Sequence, residues 1–231
     1  MNIIKEDSVN RTKNIIISAV AALFFFSACA GVISVRNPKM PKTETAAVER
    51  QDLPPVLFED FESGTLHGSY SYANRVGGAS AAYSISVPGT DTARAGEYSA
   101  KAVVNTGTDS DWGCGFGASP EAGFVDASGR DAVSLWVNAP PGKTFYVFVN
   151  EAGANDADGE FWNSPDQTGT GDWNEYIIPL DEFFRNIYSG NQEGNLNFDT
   201  SGIGTVGLQF GGNQGRFEVF VDDIYFIMMK K

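Results

Sequence analysis

Carboxylates stand where strand-like segments should be apolar. Glu59, Asp60 and Glu62 follow the apolar run that begins at Val56, and Asp222 and Asp223 interrupt the run Phe217–Ile227. A carboxylate in such a segment is costly to bury unless it is paired, hydrogen-bonded or bound to a metal. Other chemistries have less material. His67 is the only histidine and lies in a Gly-flanked turn, with no nucleophile motif beside it to complete a triad. A zinc site needs several His or Cys ligands, and the chain has one histidine and two cysteines. Asn155-Asp156-Ala157-Asp158-Gly159 looks like the centre of a calcium-binding EF-hand loop. Its first ligand position would be Ala154 and its bidentate acid would be Pro165, so the segment reads as a solvated turn. A two-carboxylate glycosidase stays open because acids abound, although Glu59-Asp60-Phe61-Glu62 lacks the alternation of sandwich glucanase strands.

A second set of residues could bind through aromatic faces. Tyr72 lies in the alternating segment Ser69–Asn74, and Trp112 is followed by Gly113 and Gly115, which leave its face uncrowded. Trp162 follows an acidic turn in Glu160-Phe161-Trp162-Asn163. Within Phe145–Asn150, Tyr146 and Asn150 share one face, and Phe145, Val147 and Val149 share the other. The latter three read as core, with Phe148 as a doubtful neighbour of the former pair. Aromatic faces pack on pyranose C–H surfaces while amides and carboxylates take the hydroxyls. For any single one of these residues a packing role remains equally open.

The elements that must carry these residues are strands. Short runs rich in Val, Ile, Phe and Tyr occur at Val56–Asp60, Ala82–Val87, Tyr98–Asn105, Ala132–Asn138, Phe145–Asn150, Asn174–Pro179, Ile203–Phe210 and Phe217–Ile227. Gly, Asn, Asp, Ser and Pro separate them, as in a sandwich or jelly roll. Only Leu180–Tyr188 offers a short helix. The fold class is all-β, a two-sheet sandwich or jelly roll.

This domain is expected over residues 55–231, about 175 residues, enough for one core. Residues 1–28 read as an export signal: a polar start with Lys5, Arg11 and Lys13, then the apolar run Ile15–Ala28, too short for a comfortable membrane span. Phe26-Ser27-Ala28-Cys29 resembles the lipobox of bacterial lipoproteins, with Phe26 in place of the usual Leu. That implies lipidation of Cys29, residues 29–54 as a Pro-containing tether, and a lipid-anchored place in a bacterial cell envelope. Cys114 then has no partner for a disulfide. A net charge of −13 argues against nucleic acid.

Three phrases carry a wider resemblance. Ala95-Gly96-Glu97-Tyr98-Ser99-Ala100-Lys101-Ala102-Val103, Asp131-Ala132-Val133-Ser134-Leu135-Trp136-Val137 and Gly171-Asp172-Trp173-Asn174-Glu175-Tyr176-Ile177-Ile178-Pro179-Leu180 resemble, in order and spacing, strands of family 11 carbohydrate-binding modules. The resemblance spans roughly residues 56–228 and implies a two-sheet jelly-roll sandwich of galactose-binding-like type, with terminal strands lying side by side and sharing a structural calcium. Glu62 and Asp222 would be its ligands, with Asp60 as a weaker candidate and carbonyls of Thr92–Gly96 completing the set. Trp136 and Trp173 match phrases that are usually core in that family. The expected ligand is a β-glucan-like polysaccharide, bound without hydrolysis across a concave face by Tyr72, Trp112, Tyr146 and Trp162, with Asn150, Glu160 and Gln209 as polar partners. Such modules usually ride on enzymes, so the resemblance leaves room for a separate glycoside hydrolase as partner. The rivals are a structural or protein-binding sandwich, since modules of this fold also occur as assembly factors, and a small glycosidase.

Overall fold

The computed structural model of the chain describes residues 53–109, 111–151 and 159–229. Cys29, the export signal, all but the last two residues of the tether and the Asn155–Asp158 part of the acidic turn lie outside the described residues. In chain order the strands are β1 (Val56–Glu59), β2 (Tyr70–Ala73), β3 (Ser80–Ile85), β4 (Ala100–Asn105), β5 (Cys114–Ala118), β6 (Ala132–Asn138) and β7 (Thr144–Glu151). They continue as β8 (Glu160–Asn163), β9 (Gln167–Thr168), β10 (Trp173–Pro179), β11 (Phe184–Gly190), β12 (Ile203–Phe210) and β13 (Arg216–Ile227). Every pairing between them is antiparallel.

One sheet has six strands in the order β10-β6-β13-β4-β3, with β1 also on β13. The other has seven in the order β11-β8-β7-β12-β5-β2, with β9 on β7. The first and last strands are neighbours: Val56 faces Phe226 and Leu57 faces Tyr225. This is the all-β sandwich expected from the strand pattern.

Alternation decides which side chains fill the space between the sheets. Phe145, Val147 and Val149 of β7, Val133, Leu135 and Val137 of β6, and Val219, Val221, Ile224 and Phe226 of β13 are all buried in one apolar cluster. The residues between them point to the outer faces, because side chains alternate along a strand. The parity changes within β13, where an irregularity between Asp222 and Tyr225 breaks the register, and Asp223 has a φ of 48°. A bulge of this kind re-aims side chains.

The expected helix over Leu180–Tyr188 is a single turn of 3-10 helix, Leu180–Glu182, followed by a strand. Phe183 is already extended (φ −74°, ψ 140°). Beyond it Phe184 pairs with Asn163, and the Arg185 side chain reaches Glu160. Tertiary pairing overrides a local helical preference that two turns could not sustain alone.

Candidate ligand-binding face

Three glycines in the middle of two adjacent strands shape the outer face of the seven-stranded sheet. Gly115 and Gly117 lie on β5 and Gly207 on β12, and each is backed by an aromatic ring. A Cβ on Gly115 would come within 2.6 Å of the Tyr72 hydroxyl, and one on Gly117 within 3.2 Å of the Tyr70 ring. A Cβ on Gly207 would collide with the ring of Phe148. Glycine within a strand permits such close approach.

The rings form a connected surface. Tyr72 lies 6.0 Å from Tyr70, 6.1 Å from Trp112 and 6.1 Å from Phe148, centroid to centroid. Phe148 continues to Phe161 at 5.8 Å. Register places polar groups among them: Tyr146 faces Gln209, and Asn150 faces Thr205 and Phe161. Trp112 is 45% exposed and Tyr70 38%, whereas Phe148 is buried. Rings at graded depth on one sheet face make an apolar platform edged with amides and hydroxyls, a surface suited to sugar rings. Burial raises the pKa values of Tyr70, Tyr72 and Tyr146, so all three hydroxyls stay protonated and can donate.

Of the seven residues expected to bind sugar, Tyr72, Trp112, Tyr146 and Asn150 meet on this face. Gln209 shares it but is 3% exposed, and its amide donates to the carbonyls of Trp112 and Phe210. It positions Trp112 instead of reaching outward. Two expectations are corrected. Trp162 pairs in register with Val149, a core residue, and therefore faces inward. Its ring stacks on Phe198 at 5.1 Å and 8°. Glu160 is on the same side, 1% exposed. It receives the Arg185 Nε–H at 2.7 Å and the Leu196 N–H at 3.2 Å, beneath the loop that follows β11. Strand parity, set by the Phe148–Asn163 pairing, turns Phe161 outward in place of both. Sequence reasoning missed Tyr70 and Phe161 and held Phe148 only as a doubtful neighbour of Tyr146 and Asn150; all three rings join this face. Tyr70 and Tyr72 are two apart on one strand, and Gly115-Phe116-Gly117 interrupts an apolar run, which was the available signal.

The other sheet also carries aromatics on its outer face. Trp136 and Trp173 lie there half-buried and outside the apolar cluster, which corrects their assignment to the core. Trp136 pairs with Glu175, and the Trp173 indole N–H donates to Thr92 Oγ1 at 3.0 Å. Two rings of this face, Trp136 and Phe220, lie under cations. The Arg94 guanidinium sits 4.3 Å over Trp136, and the Lys101 ammonium 5.5 Å from Phe220. Arg94 pairs with Asp223 at 2.8 Å; Lys101 pairs with Asp91 at 2.7 Å and Glu218 at 3.3 Å.

The acids at the chain ends converge on one loop. Asp222, 1% exposed, accepts the N–H groups of Arg94 and Ala95 on Oδ2 and of Asp223 on Oδ1. Burial is the main cause that pushes its pKa up to about 7, with the Asp223 charge adding to it. Glu62 accepts the N–H groups of Glu97 and Tyr98. Gly96 has a φ of 61°, and a Cβ there would collide with the Glu62 carboxylate. Asp60 accepts the Glu62 N–H at 3.1 Å. Among the described residues no group of three or more acidic, His or Cys side chains could hold a metal. The donor chemistry of Glu62 and Asp222 fits calcium only with backbone carbonyls or water filling most of the roughly six to eight positions.

The model of the family named Complex I intermediate-associated protein 30 (CIA30) matches residues 63–221. The chain belongs to this family. That stretch runs from just after Glu62 to the first half of β13, so the CIA30 region contains both sheet faces described above. No curated protein matches the chain. Solved structures show the same fold. The family 11 module of the cellulosomal cellulase Lic26A-Cel5E of Clostridium thermocellum is 19% identical, with a TM-score of 0.58 over 78% of this chain and 98% of that one. The Clostridium thermocellum family 11 module in complex with a β-1,3-1,4-mixed-linked tetrasaccharide is 18% identical, with a TM-score of 0.56 over 77% and 97%. An exo-β-agarase is 17% identical, with a TM-score of 0.50 over 76% of this chain and 25% of that enzyme. The fold implied by the sequence phrases is thus the fold found.

Proposed function

We propose that the domain binds a polysaccharide of β-glucan type, without cutting it, on the outer face of the seven-stranded sheet. The observation that carries this is the connected set of rings Tyr70, Tyr72, Trp112, Phe148 and Phe161, with Tyr70, Tyr72 and Phe148 lying over strand glycines and Tyr70 and Trp112 open to solvent. Tyr146 and Asn150 would take hydroxyls at its edge. The likeness in fold to the Clostridium thermocellum family 11 module in complex with a β-1,3-1,4-mixed-linked tetrasaccharide supports the reading.

Affinity electrophoresis against a panel of soluble polysaccharides tests it. Retardation by at least one β-glucan, without release of reducing ends, is expected. No retardation by any polysaccharide overturns it, and release of reducing ends makes the protein a glycosidase.

Calcium held by Glu62 and Asp222 would join the chain ends and relieve the burial of Asp222. A cation that binds only the folded form stabilises it by about 2.7 kcal/mol at a hundredfold excess over Kd. Chelation should therefore lower the melting temperature of the wild type and leave Asp222→Ala unresponsive; an unchanged wild-type curve removes calcium from the account. Lipidation of Cys29, proposed from Phe26-Ser27-Ala28-Cys29, would hold the domain at a cell envelope, where a separate hydrolase could act on the bound glycan. Cys29→Ser should then move the protein to the soluble fraction.

A second reading is a protein-binding sandwich. The family's description as associated with a complex I intermediate favours it, as do Phe184, Ile187 and Tyr188, which stand exposed on the edge strand β11. Exposed apolar residues on an edge strand are a recognised docking feature.

A further inference from the structure

A pocket of about 270 Å³ lies on the face of the six-stranded sheet, away from the ring platform. Its walls include Arg94, Ser134, Trp136, Glu175, Asp223 and Tyr225. The strands bring these groups together by register. Glu175 of β10 faces Trp136 of β6, and Tyr225 of β13 faces Ser134 of β6. The bulge at Asp223 turns its carboxylate to Arg94. Ser134 is 4% exposed and donates its hydroxyl to Glu175 Oε1 at 2.7 Å, which fixes that carboxylate in place.

We propose that this pocket is a second binding site, for a single neutral sugar ring such as a chain end or a branch. The choice of ligand follows from the groups present. An anion would meet two carboxylates, Glu175 and Asp223, against one guanidinium. A cation would find the face of Trp136 already covered by Arg94 at 4.3 Å. A polyhydroxylated ring needs acceptors and donors together, and here Glu175 and Asp223 accept while Arg94 and the Tyr225 hydroxyl donate. Tyr225 and the part of Trp136 that Arg94 leaves uncovered supply apolar surface for its C–H groups. The volume falls just below the roughly 300–1,000 Å³ of drug-sized sites, which limits the occupant to about one ring. The ligand class rests on the reading of the domain as a sugar binder; the site itself is separate from the platform.

The chain's four tryptophans give four indole N–H signals, assignable through Trp→Phe variants of the full chain. Methyl glycosides of glucose, galactose, mannose and xylose are titrated in turn, with propylammonium chloride and inorganic phosphate as charged probes. At least one glycoside should move the Trp136 signal, and Glu175→Gln should weaken that response about tenfold, as for loss of one hydrogen bond to a charged group. The double variant Tyr72→Ala/Trp112→Ala should keep it. Silence of Trp136 towards every glycoside, movement by a charged probe only, or an unaltered response in Glu175→Gln overturns the second site. If Trp112 responds to glycan while Trp136 stays silent, the second site falls and the platform stands. If Trp136 responds while no polysaccharide is retained, the platform falls and the second site stands.

Discussion

Both outer faces of the sandwich carry aromatic rings, and they treat them in opposite ways. On the seven-stranded sheet the rings of Tyr70, Tyr72 and Phe148 lie over glycines, and Trp112 extends from them into solvent. No cation sits over any of these four rings among the described contacts. On the six-stranded sheet Trp136 lies under Arg94 and Phe220 near Lys101, each cation tied to a carboxylate. Aromatic content alone therefore does not mark a binding surface. What distinguishes the two faces is what lies against the rings: strand glycines, with Tyr70 and Trp112 left open to solvent, in one case, and an ion-paired cation in the other. The first arrangement leaves a broad apolar area to be desolvated by a ligand, and the second leaves only a bounded pocket.

The largest effect is expected at Trp162, the ring that belongs to neither face. Its removal opens a cavity beside Phe198, so Trp162→Ala should destabilise the domain by about 3–5 kcal/mol, read from denaturant unfolding, while polysaccharide affinity of the remaining folded protein is unchanged. Weakened binding at unchanged stability would return the ring to the site. Next is the glycine floor. Gly207→Val would drive a side chain into the backbone carbonyl of Phe116 and the ring of Phe148. It should cost about 1–3 kcal/mol by overpacking and impair sugar binding as well. Affinity retained at full strength would mean that the flat packing of Phe148 has no part in recognition.

The core strands could be read from the sequence because their apolar residues alternate without interruption. Phe145, Val147 and Val149 were assigned inward and lie inward. The antiparallel neighbours β1 and β13 followed from the family resemblance. Trp162 and Glu160 were misplaced because a four-residue strand after an acidic turn has no register of its own. Its parity is set by pairing with β7, which a single sequence does not display. Gly115 and Gly117 hid β5 as a strand, since glycine is a poor strand former, and with it the partners of Tyr70. Trp136 was assigned to the core because its phrase matches one that is usually core in the resembling family, although Ser134 and Asn138 share its face of the strand. The residue that covers it, Arg94, is 42 positions away and reaches it through the loop before β4.

A smaller effect concerns pH. Glu151 is 4% exposed, and burial, reinforced by the Glu160 charge, pushes its pKa from 4.5 up to about 7. The folded state therefore holds a proton that the unfolded state has already lost between about 4.5 and 7. Stability from this group should fall as pH rises through that window. Asp222 shifts in the same direction, so comparing wild type with Glu151→Gln isolates the Glu151 share. Unfolding midpoints at pH 5 and 8 should differ less in the variant; an equal difference would mean that Glu151 ionises normally. The smallest effect is expected at the capped face. Lys101→Ala should cost about 0.5–1 kcal/mol, the scale of an exposed cation–π contact, and leave polysaccharide binding untouched. A loss of affinity there would mean that the two faces do not act separately.

Glycan binding by the exposed rings of the seven-stranded sheet is the central proposal. Calorimetric titration of a soluble mixed-linkage β-glucan into wild type, Tyr72→Ala, Trp112→Ala and the double variant addresses it directly. Each stacked ring contributes on the order of 1–2 kcal/mol, so each single variant should bind about five- to thirtyfold more weakly. The double variant should show no measurable heat, with unfolding midpoints close to wild type. Wild-type affinity in the double variant would contradict the claim.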